Sequence, residues 1–185
     1  MTDAKNRVCP VELAGSLDNR MRRWVQNPQK ILQPFIAPGM TVLDIGCGPG
    51  FFTLDMARMV GGSGRVIAVD LQEGMLHKLR AKIRGTELEE RIILHRCAES
   101  GIGVTEKVDF ALCFYVAHEL PDQRAFFAEL LSILKPKGRA LLVEPPFHVS
   151  KREFEETVRM AGEAGFRPAA GPKVFLSKTA LLEKG

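Results

Sequence analysis

Several things are scarce in this chain, and each scarcity excludes a class of protein. No run of the 185 residues approaches the roughly 18 consecutive apolar residues of a membrane span. The opening MTDAKNRVCPVELAG lacks the apolar core of a signal peptide, so a cytoplasmic protein is expected. Only four cysteines are present, at positions 9, 47, 97 and 113. None forms a C-x-x-C pair, which argues against a zinc site, and no metal is expected. Cys47 and Cys113 read as free buried thiols, and Cys9 is the one outside the core pattern. Charge of one sign is not abundant: the net value is +4. Arg20, Arg22 and Arg23 form one basic cluster and Lys78, Arg80, Lys82 and Arg84 another. No aromatic residues interleave with either to stack on bases. The second cluster alternates with Leu76, Leu79 and Ile83, as the solvated face of an amphipathic helix does. No internal repeat or low-complexity tract appears.

What is present is a soluble-type composition, 45% hydrophobic, on a chain long enough for one full core. Its most informative stretch is VLDIGCGPGFFT, residues 42–53. Val42, Leu43 and Ile45 read as a buried strand. Gly46, Gly48 and Gly50 follow, separated by Cys47 and Pro49, and a helix-compatible segment runs from Thr53 to Val60. A strand that turns on glycines into a helix brings backbone N–H groups up to a ligand. Asp44 sits at the strand's end. Asp70 closes the next apolar run, RVIAVD, where nucleotide-binding βαβ units place an acid for ribose hydroxyls.

The glycine spacing separates two cofactors. A dinucleotide fingerprint, G-x-G-x-x-G, needs its third glycine at position 51, which is Phe51. An acid at Asp44 also repels a pyrophosphate. It suits a ligand with an ammonium group, a ribose and no phosphate: S-adenosylmethionine (SAM).

With these residues the chain resembles the class I SAM-dependent methyltransferases, and among them the small type-11 and ubiquinone-biosynthesis-like group. VLDIGCGPG is similar to that family's first motif and VIAVDLQEGML to its second. CAES (97–100), VDFALCFYVAHELPD and LKPKGRALLVEP resemble the later segments in order. The resemblance runs from about Pro38 to the C-terminus. It implies a Rossmann-like, doubly wound α/β fold whose seven strands are mostly parallel, with an antiparallel C-terminal strand. Residues 1–37 are then an N-terminal lid or substrate segment, and residues 38–185 the SAM-binding core of a single domain. It also implies site roles. Gly46, Cys47, Gly48 and Gly50 form the cofactor loop, with Asp44 toward the ammonium and Asp70 on the ribose hydroxyls. Leu71 covers one adenine face, Ala98 and Glu99 border its edge, and Phe114 approaches the methionine end. Relatives of this group methylate arsenic, which makes Cys9 a candidate thiol for a metalloid.

The local patterns fill in the rest. Asn27-Pro28 reads as the cap and first position of a helix bearing Ile31, Leu32 and Phe35. Helices are expected over about 72–84, from Asp122 with Phe127, Leu130, Leu131 and Leu134 inward until Pro136, and from the Ser150/Glu153 capping pair with Phe154, Val158 and Ala161 inward. Strands are expected near 92–95, 108–114, 139–143, 166–170 and 175–182. His118 and Glu119, in AHELPD just past strand four, face the methyl group on this reading. His118 is the candidate general base, with His148 a weaker one. Glu144-Pro145-Pro146-Phe147 resembles an amino-methylation motif but ends strand five, so it reads as a rigid turn. Without insertions to roof the cleft, Trp24, Val25 and Pro145 to Val149 are candidates, with Arg20 or Arg23 meeting an anion. The expected function is methyl transfer from SAM to a small-molecule acceptor. The alternatives are an RNA or protein acceptor, or SAM binding without turnover. The sequence leaves the oligomeric state open.

Overall fold

The apolar runs become strands, and the amphipathic stretches between them become helices. A computed structural model describes residues 20–185. Helices α1 (Arg20–Val25) and α2 (Pro28–Leu32) lead into strand β1 (Thr41–Ile45). The chain continues through α3 (Thr53–Val60), β2 (Arg65–Asp70), α4 (Glu73–Ile83), β3 (Ile92–Arg96) and β4 (Val108–Phe114). It ends with α5 (Gln123–Ile133), β5 (Leu134–Glu144), α6 (Lys151–Glu163), β6 (Phe166–Ala170) and β7 (Lys178–Lys184).

The seven strands form one sheet in the order β3-β2-β1-β4-β5-β7-β6. β1 to β5 run parallel, and β7 is antiparallel to both β5 and β6. The chain winds outward from β1 to β3, then returns to β4 on the other side of β1. The carboxyl ends of β1 and β4 therefore part at a switch point, where open α/β sheets bind ligands. Side chains alternate across the sheet. Val42 packs with α2, α3 and α4 through Leu32, Met56 and Leu79, whereas Leu43 packs with α5 and α6 through Phe127, Leu130 and Ala161. Asp44 falls on the Val42 side, facing α3. Ile31, Leu32, Phe35 and Ile36 are buried in that same layer, and Phe35 stacks on Phe110 at 5.5 Å.

Several local expectations hold to the residue. Asn27 caps α2, its side chain accepting from the Lys30 N–H at 3.1 Å. The Ser150/Glu153 pair closes a reciprocal capping box. Other boundaries moved. α5 stops at Ile133 rather than near Pro136: Lys135, before the proline, is driven from the helical region, and Leu134 is already extended, paired with Val108 of β4. β5 thus starts five residues early, and its register to β4 shifts between Val108 and Phe110. The inward face of α5 is Phe126, Phe127, Leu130 and Ile133, with Leu131 only partly buried. On α6, Thr157 joins Ala161 in the core, while Phe154 and Val158 pack at its margin. β7 starts at Lys178 rather than Phe175, because Leu176 turns in the left-handed region at φ 51° and Ser177 N–H closes a turn onto Val174.

The loop after β1 depends on glycine at two points. Gly46 has φ 67°, and a Cβ there would overlap Val116. Gly50 has φ 91°, and a Cβ there would stand 2.5 Å from Leu79 Cδ1 of α4. Gly50→Ala should lower the unfolding free energy by about 1–3 kcal/mol, from backbone strain and overpacking. Urea denaturation reads this as a lower midpoint at unchanged slope, and an unchanged midpoint would contradict the packing described.

Candidate active site

At the carboxyl ends of β1, β2 and β4 the backbone opens a cleft of about 760 Å³. The loop from Gly46 to Pro49 forms its floor. Asp70, the last residue of β2, ties that floor to the next loop. Its Oδ2 accepts from the Gly48 N–H at 2.8 Å and its Oδ1 from the Gln72 N–H at 2.9 Å. Each oxygen keeps lone-pair capacity for a further donor from the cleft. Burial raises the Asp70 pKa, and the N–H bonds from Gln72, Gly48 and Leu71 partly offset that. Asp44 is 2% exposed and accepts from the Thr53 hydroxyl, the first residue of α3, at 2.5 Å. Burial pushes its carboxyl up to about 7; the Thr53 bond opposes this, Asp70 adds repulsion, and Arg22 pulls it back. Two acids thus stand in one cleft at real electrostatic cost, which is where a cationic or hydroxylic ligand gains most.

A third carboxylate lies at the other end. Glu144, the last residue of β5, is 1% exposed. Its Oε1 accepts from the Ala117 N–H at 2.9 Å, and its Oε2 lies 2.5 Å from His118 Nδ1. Ala117, His118 and Glu119 form a single 3-10 turn after β4. Burial lowers the His118 pKa, but the hydrogen bond and charge of Glu144, with Glu119, outweigh it, so the net shift is upward. Glu119, in the same cleft, is pushed up to about 7 by burial, with Asp70 and Glu144 repelling it and His118 opposing the shift.

Aromatic rings form one wall. Phe51 meets Phe52 edge-on, Phe52 lies 4.3 Å from Phe114, and Phe114 lies 4.4 Å from Tyr115. The Arg22 guanidinium of α1 sits 4.2 Å above Phe51. Tyr115 adopts φ 62°, and its hydroxyl joins Gln26 Nε2 and Ser177 Oγ, each at 2.7 Å. That hydroxyl ties the end of α1 to the β6–β7 loop.

The cleft brings together Asp44, Gly46, Cys47, Gly48, Asp70, Leu71, Ala98, Glu99, Phe114, His118, Glu119 and His148. Gly50 is not among its lining residues; it turns the chain under α4 instead. Of the basic residues near the N-terminus, Arg22 reaches the cleft, while Arg23 pairs with Asp55 at 2.9 Å. Val25 borders a separate small hollow with Lys173 and Phe175. Lys82 of the second basic cluster donates to the Pro49 carbonyl at 2.7 Å, so it braces the glycine loop. Pro145 and Phe147 line the cleft, and Phe147 is 87% exposed. The thiols of Cys47, Cys97 and Cys113 are free, with pKa values raised first by burial. Cys9 and the side chains of Arg20 and Trp24 lie outside the described residues. Sequence reasoning missed Thr53, Arg22 as the arginine at the cleft, and Glu144. Reading EPPF as only a rigid turn was incomplete, because its first residue is a buried carboxylate. The signal was there: RALLVE closes an apolar strand with an acid, as RVIAVD does.

Among the described residues no three His, Cys, Asp or Glu side chains gather as a metal site, and no helix is long and apolar enough to cross a membrane. A doubly wound sheet with an acid at the end of β2 and a G-x-G-x-G turn after β1 defines a nucleoside-binding α/β protein of Rossmann-like type. A family model described as a methyltransferase domain matches residues 42–138. The chain belongs to that family, the class I SAM-dependent methyltransferases. It is 31% identical over 120 residues to a demethylmenaquinone methyltransferase of Lactococcus lactis, covering 63% of this chain and 48% of that one. A Bacillus cereus protein of the same name is 26% identical over 125 residues, covering 68% and 52%. The chain spans about half the length of the curated relatives it matches. Among solved structures, a SAM dependent methyltransferase from Aquifex aeolicus superposes with TM-score 0.82 at 26% identity, covering 95% of this chain and 98% of that one. A TehB-like SAM-dependent methyltransferase from Corynebacterium glutamicum gives 0.70 at 16% identity, covering 94% and 93%, which is likeness of fold alone.

The raised Asp44 pKa has a consequence for stability. An unfolded aspartate ionises near 3.9, whereas Asp44 in the fold ionises only near 7. Its contribution to stability is therefore present below about pH 4 and lost as pH rises through about 7. Asp44→Asn keeps an acceptor for Thr53 and removes that loss, so the variant should exceed the parent at pH 8 by on the order of a few kcal/mol. The difference should shrink toward pH 4. Urea unfolding at both pH values checks this, and a difference that ignores pH would refute it.

Proposed function

We propose that the chain transfers the methyl group of SAM to a small-molecule acceptor, and that it does so in the cytoplasm. The observation that carries this is the two-ended cleft. One end holds Asp70, Leu71, Ala98 and Glu99; the other holds His118, Pro145, Phe147 and His148; and Gly46 to Gly48 lie between. Asp70 takes the ribose hydroxyls with the lone pairs its two N–H donors leave unused. Asp44 takes the ammonium, whose charge offsets the cost of ionising a buried acid. Arg22 meets the cofactor carboxylate, and Leu71, Ala98 and Glu99 border the adenine. Phe114 and Cys47 flank the methionine portion.

SAM when bound supplies a methyl already activated by its sulfonium. The chain has to orient the acceptor, exclude water and accept a proton where one is released. Orientation alone is worth roughly 7–11 kcal/mol. His118 is the proposed base. α1 and the Pro145 to Val149 loop form the roof over the acceptor. Free thiols at Cys47, Cys97 and Cys113 fit a reducing compartment. The small-molecule reading draws on the Lactococcus and Bacillus relatives, whose names place their acceptor among the quinones. RNA or protein as acceptor, and binding without turnover, are the competing readings.

Titration calorimetry with S-adenosylhomocysteine should register binding. Asp70→Ala should weaken it by about 10- to 100-fold, the worth of hydrogen bonds to a charged group. Because the ligand ammonium favours ionised Asp44, binding below about pH 7 should release a proton and tighten as pH approaches 7. Heats measured in buffers of different ionisation enthalpy read that proton directly. No heat from the ligand would remove the reading altogether.

A further inference from the structure

We propose that Glu144 is a positioning residue. It holds the His118 imidazole with its proton on Nδ1 and its lone pair on Nε2, directed at the acceptor, and so selects acceptors that surrender a proton from the attacking atom. This rests on the methyltransferase reading above and names the substrate class for it.

The geometry is specific. Both Glu144 oxygens are committed, one to the Ala117 N–H at 2.9 Å and one to His118 Nδ1 at 2.5 Å. With both Glu144 oxygens accepting, we place the proton of the His118 contact on Nδ1. The Ala117 bond anchors the carboxylate to the turn that carries His118. That fixes the ring as well as its tautomer. The ring lines the cleft, its side chain is 29% exposed, and Nε2 makes no hydrogen bond with any described residue. Glu144 is buried at the end of a core strand, where an unpartnered carboxylate would be costly. A role in the fold alone requires an acceptor for Ala117, which an amide would meet equally. Only a role in directing the imidazole requires the second oxygen to carry charge, by the logic of the aspartate in a Ser-His-Asp triad. The charged groups that bear on His118 are Glu144 from β5 and Glu119 from its own turn.

The reaction this serves balances as follows. The acceptor X–H attacks the methyl carbon; the X–C bond forms; the C–S bond breaks, and its electron pair stays on sulfur, which becomes a neutral thioether. The proton of X passes to Nε2, and Glu144 stabilises the imidazolium. Hydroxyl compounds, neutral primary and secondary amines and carbons acidified by a conjugated hydroxyl carry such a proton. Thioethers and tertiary amines have no such proton and gain nothing from it. An acceptor that arrives as an anion meets Glu119, which lines the cleft.

The test is nitrogen NMR on protein labelled with ¹⁵N-histidine, together with calorimetry. In the parent, neutral His118 should carry its proton on Nδ1. In Glu144→Gln the side-chain amide offers Nδ1 a donor, so the proton should move to Nε2, and the His118 pKa should fall by about 1 or more. A second measurement needs no variant. Sinefungin carries an amine where SAM carries its methyl. Its bound cation should lower the His118 pKa relative to the S-adenosylhomocysteine complex if Nε2 faces the methyl position. An Nε2-protonated parent, an unchanged tautomer in the variant, or equal His118 pKa values in the two complexes would each overturn the proposal while leaving cofactor binding intact. No heat from either ligand would overturn the methyltransferase reading, and this proposal with it.

Discussion

The site depends on one constraint: carboxylates buried at the carboxyl ends of parallel strands must find donors. Asp70 and Glu144 each close a strand, Asp44 is the last residue but one of β1, and each is at least nine-tenths buried. Such groups are tolerated only when bonded. Asp44 is held by Thr53, Asp70 by the N–H groups of Gly48 and Gln72, and Glu144 by Ala117 and His118. Through these bonds the three loops that bound the cleft acquire their shapes. The same bonds leave lone-pair capacity on Asp70 and residual electrostatic cost on Asp44, and the proposed cofactor roles of the two acids draw on both.

The roof is assembled from separate parts of the chain. Arg22 stacks over Phe51, which leads through Phe52 and Phe114 to Tyr115. Tyr115 then joins Gln26 of the N-terminal segment to Ser177 before β7. Its φ of 62° is strained for a non-glycine residue, and such strain persists where surrounding contacts over-determine it. The backbone there is held by a bond from Tyr115 N–H to Val143. This wall of the cleft is therefore coupled to Gln26 and Ser177, on two distant segments, rather than formed by one loop.

Much of the fold was legible in the sequence. Strand β4, helix α3 and strand β6 span the residues expected of them, 108–114, 53–60 and 166–170. The capping box at Ser150 is a local pattern with a local cause. Boundaries were lost where a nonlocal partner set them. β5 reaches back to Leu134 because β4 offers Val108 to pair with, across a register shift that no residue pattern announces. In the site, Asp44 and Asp70 were legible because an acid at the carboxyl end of an apolar run is conspicuous. Gly50 was read only as part of the ligand loop; that it must also clear Leu79, nearly thirty positions away, is a packing demand the sequence does not announce.

From sequence alone came the order of strands and helices, the nucleoside-binding loop and the exclusion of a dinucleotide, because hydrophobic period and glycine spacing are properties of neighbours along the chain. Only the tertiary structure decided that Arg22 lines the cleft, that Lys82 braces the loop, and that Glu144 meets His118. The last two pairings join residues 26 or more positions apart. Glu144 meets His118 because adjacent parallel strands β4 and β5 bring their ends together, and Lys82 reaches Pro49 because the winding of the sheet lays α4 beside the glycine loop.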